Sequence, residues 1–98
     1  MIIRVVRMTF REDAIDDFLQ IFDKSKEKIR AFEGCNHLQL LSDAHAPNVY
    51  STYSIWNNED GLNAYRDSDL FGQVWPETKR LFAASPVAHS YHQKIKLD

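Results

Sequence analysis

The stretch VYSTYSIWNNEDGLNAYRDSDLFGQVW, residues Val49 to Trp75, decides the fold. Val49 to Trp56 is rich in β-branched and aromatic side chains and has no Gly or Pro, so it reads as a strand. Asn57 and Asn58 can then cap a helix with Glu59 and Asp60 in its first turn, and Asn57 with Asp60 has the spacing of a capping box. That helix carries Leu62, Ala64 and Tyr65 and ends near Asp67. Ser68 can cap a third helical piece holding Leu70, Phe71, Val74 and Trp75. Pro76 has no N–H to donate, so a kink or restart is expected there, with Pro76 in the first turn of a helix running to Phe82.

Upstream, Ile2 to Phe10 has the composition of another strand. Alternation points Val6, Met8 and Phe10 one way and Ile3, Val5, Arg7 and Thr9 the other. A helix is expected from Asp13 to Phe32, because Ile15, Phe18, Leu19, Phe22, Ile29 and Phe32 form one stripe at helical spacing. Its acids lie early and its bases late, as the helix dipole prefers, and Gly34 follows where a left-handed residue is wanted. Asn36 to Leu41 is a second strand, joined to the Val49 strand by the loop Ser42 to Asn48. After Ser85 and Pro86, Val87 to Leu97 alternates as a last strand.

The order is therefore β-α-β-β-α-β, the split-βαβ arrangement of α+β, ferredoxin-like domains: a four-stranded antiparallel sheet with helices on one face. The chain of 98 residues is one domain. Helices cover only one side of such a sheet, and here the other side is partly apolar too. A second copy, packed sheet face to sheet face, is the simplest cover, so a homodimer is expected.

Composition narrows the partners. A net charge of −2 and a mixed-charge helix around Lys24 to Arg30 supply no basic stripe, which argues against nucleic acid or an anionic membrane. Arg4 and Arg7 interrupt any leader-like apolar run near the start, and the longest apolar run, Leu81 to Ala84, is far too short to span a bilayer. A cytoplasmic location is expected. Cys35 is the single cysteine and reads as a buried structural thiol.

The four histidines, His37, His45, His89 and His92, show none of the familiar metal-ligand spacings, and the scattered glycines make no phosphate cradle, so no metal or cofactor site is expected. The aromatic share of 12% is high for so short a chain. Tyr53, Trp56, Tyr65, Phe71 and Trp75 group on the third strand and the helices after it. They fit either core packing or a pocket for a flat apolar ring.

The segment Thr52 to Phe71, with its aromatic strand ending in Trp56, polar cap, Leu62, Tyr65, Ser68 and Phe71, resembles the antibiotic biosynthesis monooxygenase superfamily. Upstream, IRAFEGCNHLQLL, Ile29 to Leu41, is similar to that family's helix end, glycine and second strand. The resemblance implies a dimeric α/β barrel with a pocket in each subunit between helices and sheet. It also implies oxygenation of phenols or quinols by O2 without metal or flavin. The positions that serve haem-degrading relatives hold Val6, Tyr65 and Trp75 here, which departs from that branch and rejects haem degradation.

The expected function is thus a cofactor-independent monooxygenase or quinol oxidase for a small aromatic substrate. Tyr53, Tyr65, Phe71 and Trp75 would bind the ring, and His37, His89 or Tyr65 would move the proton. Two alternatives are an isomerase or other proton-transfer enzyme on a small metabolite and a non-catalytic ligand-binding dimer.

Overall fold

A computed structural model describes residues 1–98. Four strands, β1 (Ile2–Thr9), β2 (Cys35–Ser42), β3 (Val49–Trp56) and β4 (Val87–His92), make one sheet in the order β2-β3-β1-β4. Every neighbouring pair is antiparallel. Three helices, α1 (Ile15–Arg30), α2 (Glu59–Arg66) and α3 (Asp69–Lys79), pack on one face. This is the ferredoxin-like α+β arrangement.

The differences from the sequence reading have local causes. The first helix opens as a 3-10 turn, Glu12–Ala14, and α1 ends at Arg30 rather than Phe32. The chain then reverses at Gly34, whose φ of +91° favours a residue without Cβ. A Cβ at Gly34 would stand 3.6 Å from the Gly61 Cα, so this turn also lies against the start of α2. Asn58, not Asn57, caps α2 by accepting the Gly61 N–H at 2.8 Å. The Asn57 side chain instead accepts from the Asn36 amide at 2.6 Å, tying α2's entry to β2.

Ser68 caps α3 as expected, accepting the Phe71 N–H at 3.2 Å. No restart occurs at Pro76, and α3 is one helix through it. The proline removes one N–H that would have bonded the carbonyl of Gly72, but Gly72 is exposed, so that carbonyl is not stranded in the core. Thr78, buried on the far side of the turn, donates its hydroxyl to the Val74 carbonyl at 2.9 Å. Phe82 lies beyond the helix, in a bridge with Phe10. Finally, β4 stops at His92 rather than Leu97. His92 pairs with Ile2, the first residue of β1, and the ladder ends there.

The core has two parts on the helix side. Met8, Phe10, Ala14, Phe18 and Leu81 form one; Ile2, Cys35, Trp56 and Leu62 form the other. Phe10 and Trp56 are the largest fully enclosed side chains, and Phe10 stacks on Phe18 with centroids 4.2 Å apart. Burying each such side chain contributes about 1.5–3 kcal/mol. Cys35 is buried as expected; its thiol is pushed up in pKa by that burial. No helix is long and apolar enough to cross a membrane.

Candidate functional site

Between the two core clusters the packing is incomplete. A cavity of about 230 Å³ lies under the helices, bounded by Met8 and Phe18 from one cluster and Trp56 and Leu62 from the other. Strand alternation supplies its floor: Arg4, Val6 and Met8 of β1, and Thr52, Ser54 and Trp56 of β3. The three helices supply its roof, including Phe22, Tyr65, Phe71, Val74 and Trp75.

One wall is a chain of rings. Tyr65 stacks on Trp56 with centroids 5.0 Å apart and planes 24° apart. Phe71 meets Tyr65 edge-on at 5.3 Å and stacks on Trp75 at 5.7 Å. Such contacts hold each ring at a fixed angle and add to plain burial by about 0.5–1.5 kcal/mol per pair. Burial pushes the Tyr65 phenol up to about 12, with a smaller contribution from Cys35, and no hydrogen bond offsets it. At neutral pH Tyr65 is therefore a proton-bearing donor, not a base.

The floor is more polar. Ser54 accepts the Trp56 indole N–H at 3.0 Å and donates to the Arg4 carbonyl at 3.5 Å. The Arg4 guanidinium donates to the Ser90 hydroxyl at 2.9 Å across the β1–β4 pair. Arg66, next to Tyr65 at the end of α2, also lines the cavity. Burial first, and then the nearby charge of Arg66, holds the Arg4 pKa below its ordinary value. Neither arginine belongs to any of the chain's four ion pairs. No carboxylate and no imidazole lines the cavity.

The residues singled out from the sequence divide between two surfaces. Tyr65, Phe71 and Trp75 come together in the cavity wall. Tyr53, His37 and His89 do not line this cavity. In β3 the residues facing the helices are Thr52, Ser54 and Trp56, so Tyr53 projects from the opposite face. It meets His37 edge-on at 5.9 Å, and the His37 ring pairs with the Gln39 amide at 2.8 Å. His89 stands across Val5 from Tyr53, on that same outer face. Within one chain the sheet separates both histidines from the cavity. No three His, Cys, Asp or Glu side chains converge as a metal donor set.

Arg4 and Arg66 were not singled out from the sequence. The signal for Arg4 was present: it is the one charge in the inward phase Ile2, Arg4, Val6, Met8, Phe10. For Arg66 there was only its place beside Tyr65.

The fold is widely shared. A conserved protein from Methanosarcina mazei Go1 superposes with a TM-score of 0.90 at 20% identity, over 96% of this chain and 94% of its own. A protein described as an antibiotic biosynthesis monooxygenase gives 0.91 at 17% identity, over 97% of this chain and 100% of its own. A Mycobacterium tuberculosis protein gives 0.90 at 15% identity, over 99% and 98%. At these identities the likeness is one of fold. No curated protein matches the chain significantly by sequence. The sequence model of one family, described as antibiotic biosynthesis monooxygenase, matches residues 1–75, well over half of the chain. The chain belongs to the antibiotic biosynthesis monooxygenase family.

Proposed function

We propose that this protein binds a small electron-rich aromatic molecule in the helix-side cavity and lets it react with O2, as a monooxygenase or quinol oxidase in which the substrate itself supplies the electrons. The observation that carries this reading is the ring-walled cavity formed by Trp56, Tyr65, Phe71 and Trp75. Flat rings match a flat-ringed wall, and a cavity of about 230 Å³ exceeds the roughly 150 Å³ that suffices for benzene. It fits one or two fused rings.

The protein's part is then positioning and electrostatics. Tyr65, protonated at neutral pH, donates a hydrogen bond to a substrate oxygen. With no imidazole or carboxylate in the lining, the substrate's own proton leaves to water. For a quinol, two electrons and two protons pass to O2, giving quinone and hydrogen peroxide. For an activated ring methylene, both C–H bonds break. One oxygen atom of O2 becomes the new carbonyl and the other leaves as water.

The absence of a base in the lining disfavours the isomerase alternative, which needs a group that exchanges protons near neutrality. Oxygen-electrode assays with hydroquinones, naphthohydroquinones and the bicyclic ketone 2-indanone test the proposal. Uptake above autoxidation, lost in the cavity-filling variant Val74→Phe, is expected. No uptake across the panel would refute oxygenation and leave ligand binding without chemistry.

The protein is also proposed to act as a homodimer through the outer sheet face. That face carries Ile3, Val5, Tyr53 and Ile55 with no helix over it, and Leu41, Val87 and Tyr91 are exposed in the single chain. Light scattering at low micromolar concentration should give twice the chain mass; a stable monomer refutes it.

A further inference from the structure

We propose that Arg4 and Arg66 form an anion-recognising end of the cavity, so that its ligand is a one- or two-ring aromatic bearing a carboxylate. This inference rests on the cavity being a ligand site and goes beyond it by naming the charge of the ligand.

Three observations carry it. First, two guanidiniums share one small, mostly apolar cavity, near enough that the charge of one acts on the other. Like charges held near one another repel, and it is the part-buried Arg4 that shows the effect. Four of the chain's twelve lysines and arginines have an acid beside them: Arg11 by Asp13, Lys26 by Asp23, Arg80 by Glu77 and Lys96 by Asp98. Arg4 and Arg66 have no such partner, and no acid lines the cavity with them. A ligand that brings a permanent negative charge supplies what the chain withholds.

Second, the Arg4 guanidinium is held. Its guanidinium is fixed by the Ser90 hydroxyl at 2.9 Å, and one hydrogen bond leaves most of its five N–H donors free. A planar guanidinium matches a carboxylate with two parallel hydrogen bonds, a geometry that an ammonium cannot offer. Third, the lining is of two kinds. The rings of Phe71 and Trp75 offer flat apolar surface, whereas Arg4 and Arg66 offer charge. A molecule with a ring at one end and a carboxylate at the other satisfies both.

The alternative role for Arg4 is to cover apolar surface with its aliphatic stem while its head reaches water. That role predicts no preference for anions, which makes the two separable.

The test is calorimetric titration with 2-naphthoate and its neutral isostere 2-naphthamide. The unaltered protein is compared with Arg4→Gln, Arg66→Gln, the double variant and the control Arg80→Gln. The naphthoate is expected to bind roughly tenfold more tightly or better, because hydrogen bonds to charged groups carry that much. In the double variant the preference should shrink to about twofold or less while naphthamide binding is retained; Arg80→Gln should change nothing. Added salt should weaken naphthoate binding selectively. Equal affinity for the two probes, or a preference that survives in the double variant, overturns the inference while the cavity reading stands. If neither probe binds, both fall. Should Arg4→Gln disturb folding, as shown by its melting curve, the exposed Arg66→Gln carries the comparison alone.

Discussion

Tyr65→Phe offers a test of how dry the cavity wall is. The phenol is packed against Trp56, Phe32 and Phe71, and burial pushes it from an ordinary 10.0 up to about 12. An unfolded chain releases this proton as the pH passes 10.0, whereas the folded chain keeps it until about 12. The raised folded pKa therefore means that stability is complete below 10.0 and is lost as the pH rises toward 12. Each pH unit of that interval costs about 1.4 kcal/mol, so the full loss is about 2.7 kcal/mol, and near pH 11 it is about 1.4 kcal/mol. Phenylalanine keeps the ring contacts and cannot ionise. At neutral pH the two proteins should differ by less than about 1 kcal/mol, since no hydrogen bond favours the hydroxyl's ionised form or offsets its burial. Urea unfolding of both proteins from neutral pH to about pH 11 measures the difference, and tyrosinate absorbance of one minus the other reports the titration directly. The variant should gain on the parent by about 1.4 kcal/mol across that range. Parallel stability curves, or a difference spectrum with its midpoint at the ordinary 10.0, would refute the dry, buried setting of the Tyr65 phenol.

Three further outcomes follow from the fold. Gly34→Ala should destabilise by about 1–2 kcal/mol in urea, because φ is +91° there, while the nearest atom to an added Cβ is at an ordinary 3.6 Å; a neutral effect would mean the turn is not left-handed. Pro76→Ala should stabilise α3 by about 1–3 kcal/mol, the restored N–H reaching the Gly72 carbonyl, and unchanged unfolding would show that the helix is already broken there. The Asp43 carboxylate accepts the His45 and Ala46 N–H groups at 3.0 and 2.9 Å, which hold its pKa below the ordinary 3.8. Asp43→Ala should therefore lower the melting temperature at neutral pH, and the gap should close as the pH falls below 3.8 and on through the lowered folded value; a gap independent of pH would rule out the carboxylate as its cause.

Helices and strands were readable along the chain because their signals are local. Composition rich in β-branched and aromatic residues without Gly or Pro marked β1 and β3, the apolar stripe from Ile15 to Ile29 marked α1, and Ser68 marked the start of α3. Boundaries were less legible where distant partners set them. β4 ends at His92, the partner of the first residue of β1, and Asn57 gives up the capping place to its neighbour because Asn36 holds it. The separation of Tyr53 from Trp56 was within reach of period-two reasoning. Residues three apart on a strand face opposite ways, and the attraction of an aromatic cluster obscured it.

By itself, then, the sequence determined the order of elements, the one-sided covering of the sheet and the family resemblance, since each follows from periodicity, caps and composition within short windows. Only the tertiary structure decided the site. A cavity is a shortfall in packing between side chains from seven elements, and no single window of sequence carries it. Nor does any window place Arg66 near Arg4: one ends α2, the other lies in β1, and they meet because β3 pairs with β1 and carries α2 with it. The same pairing sends His37 and His89 to the far face, where the sheet itself keeps them from the rings.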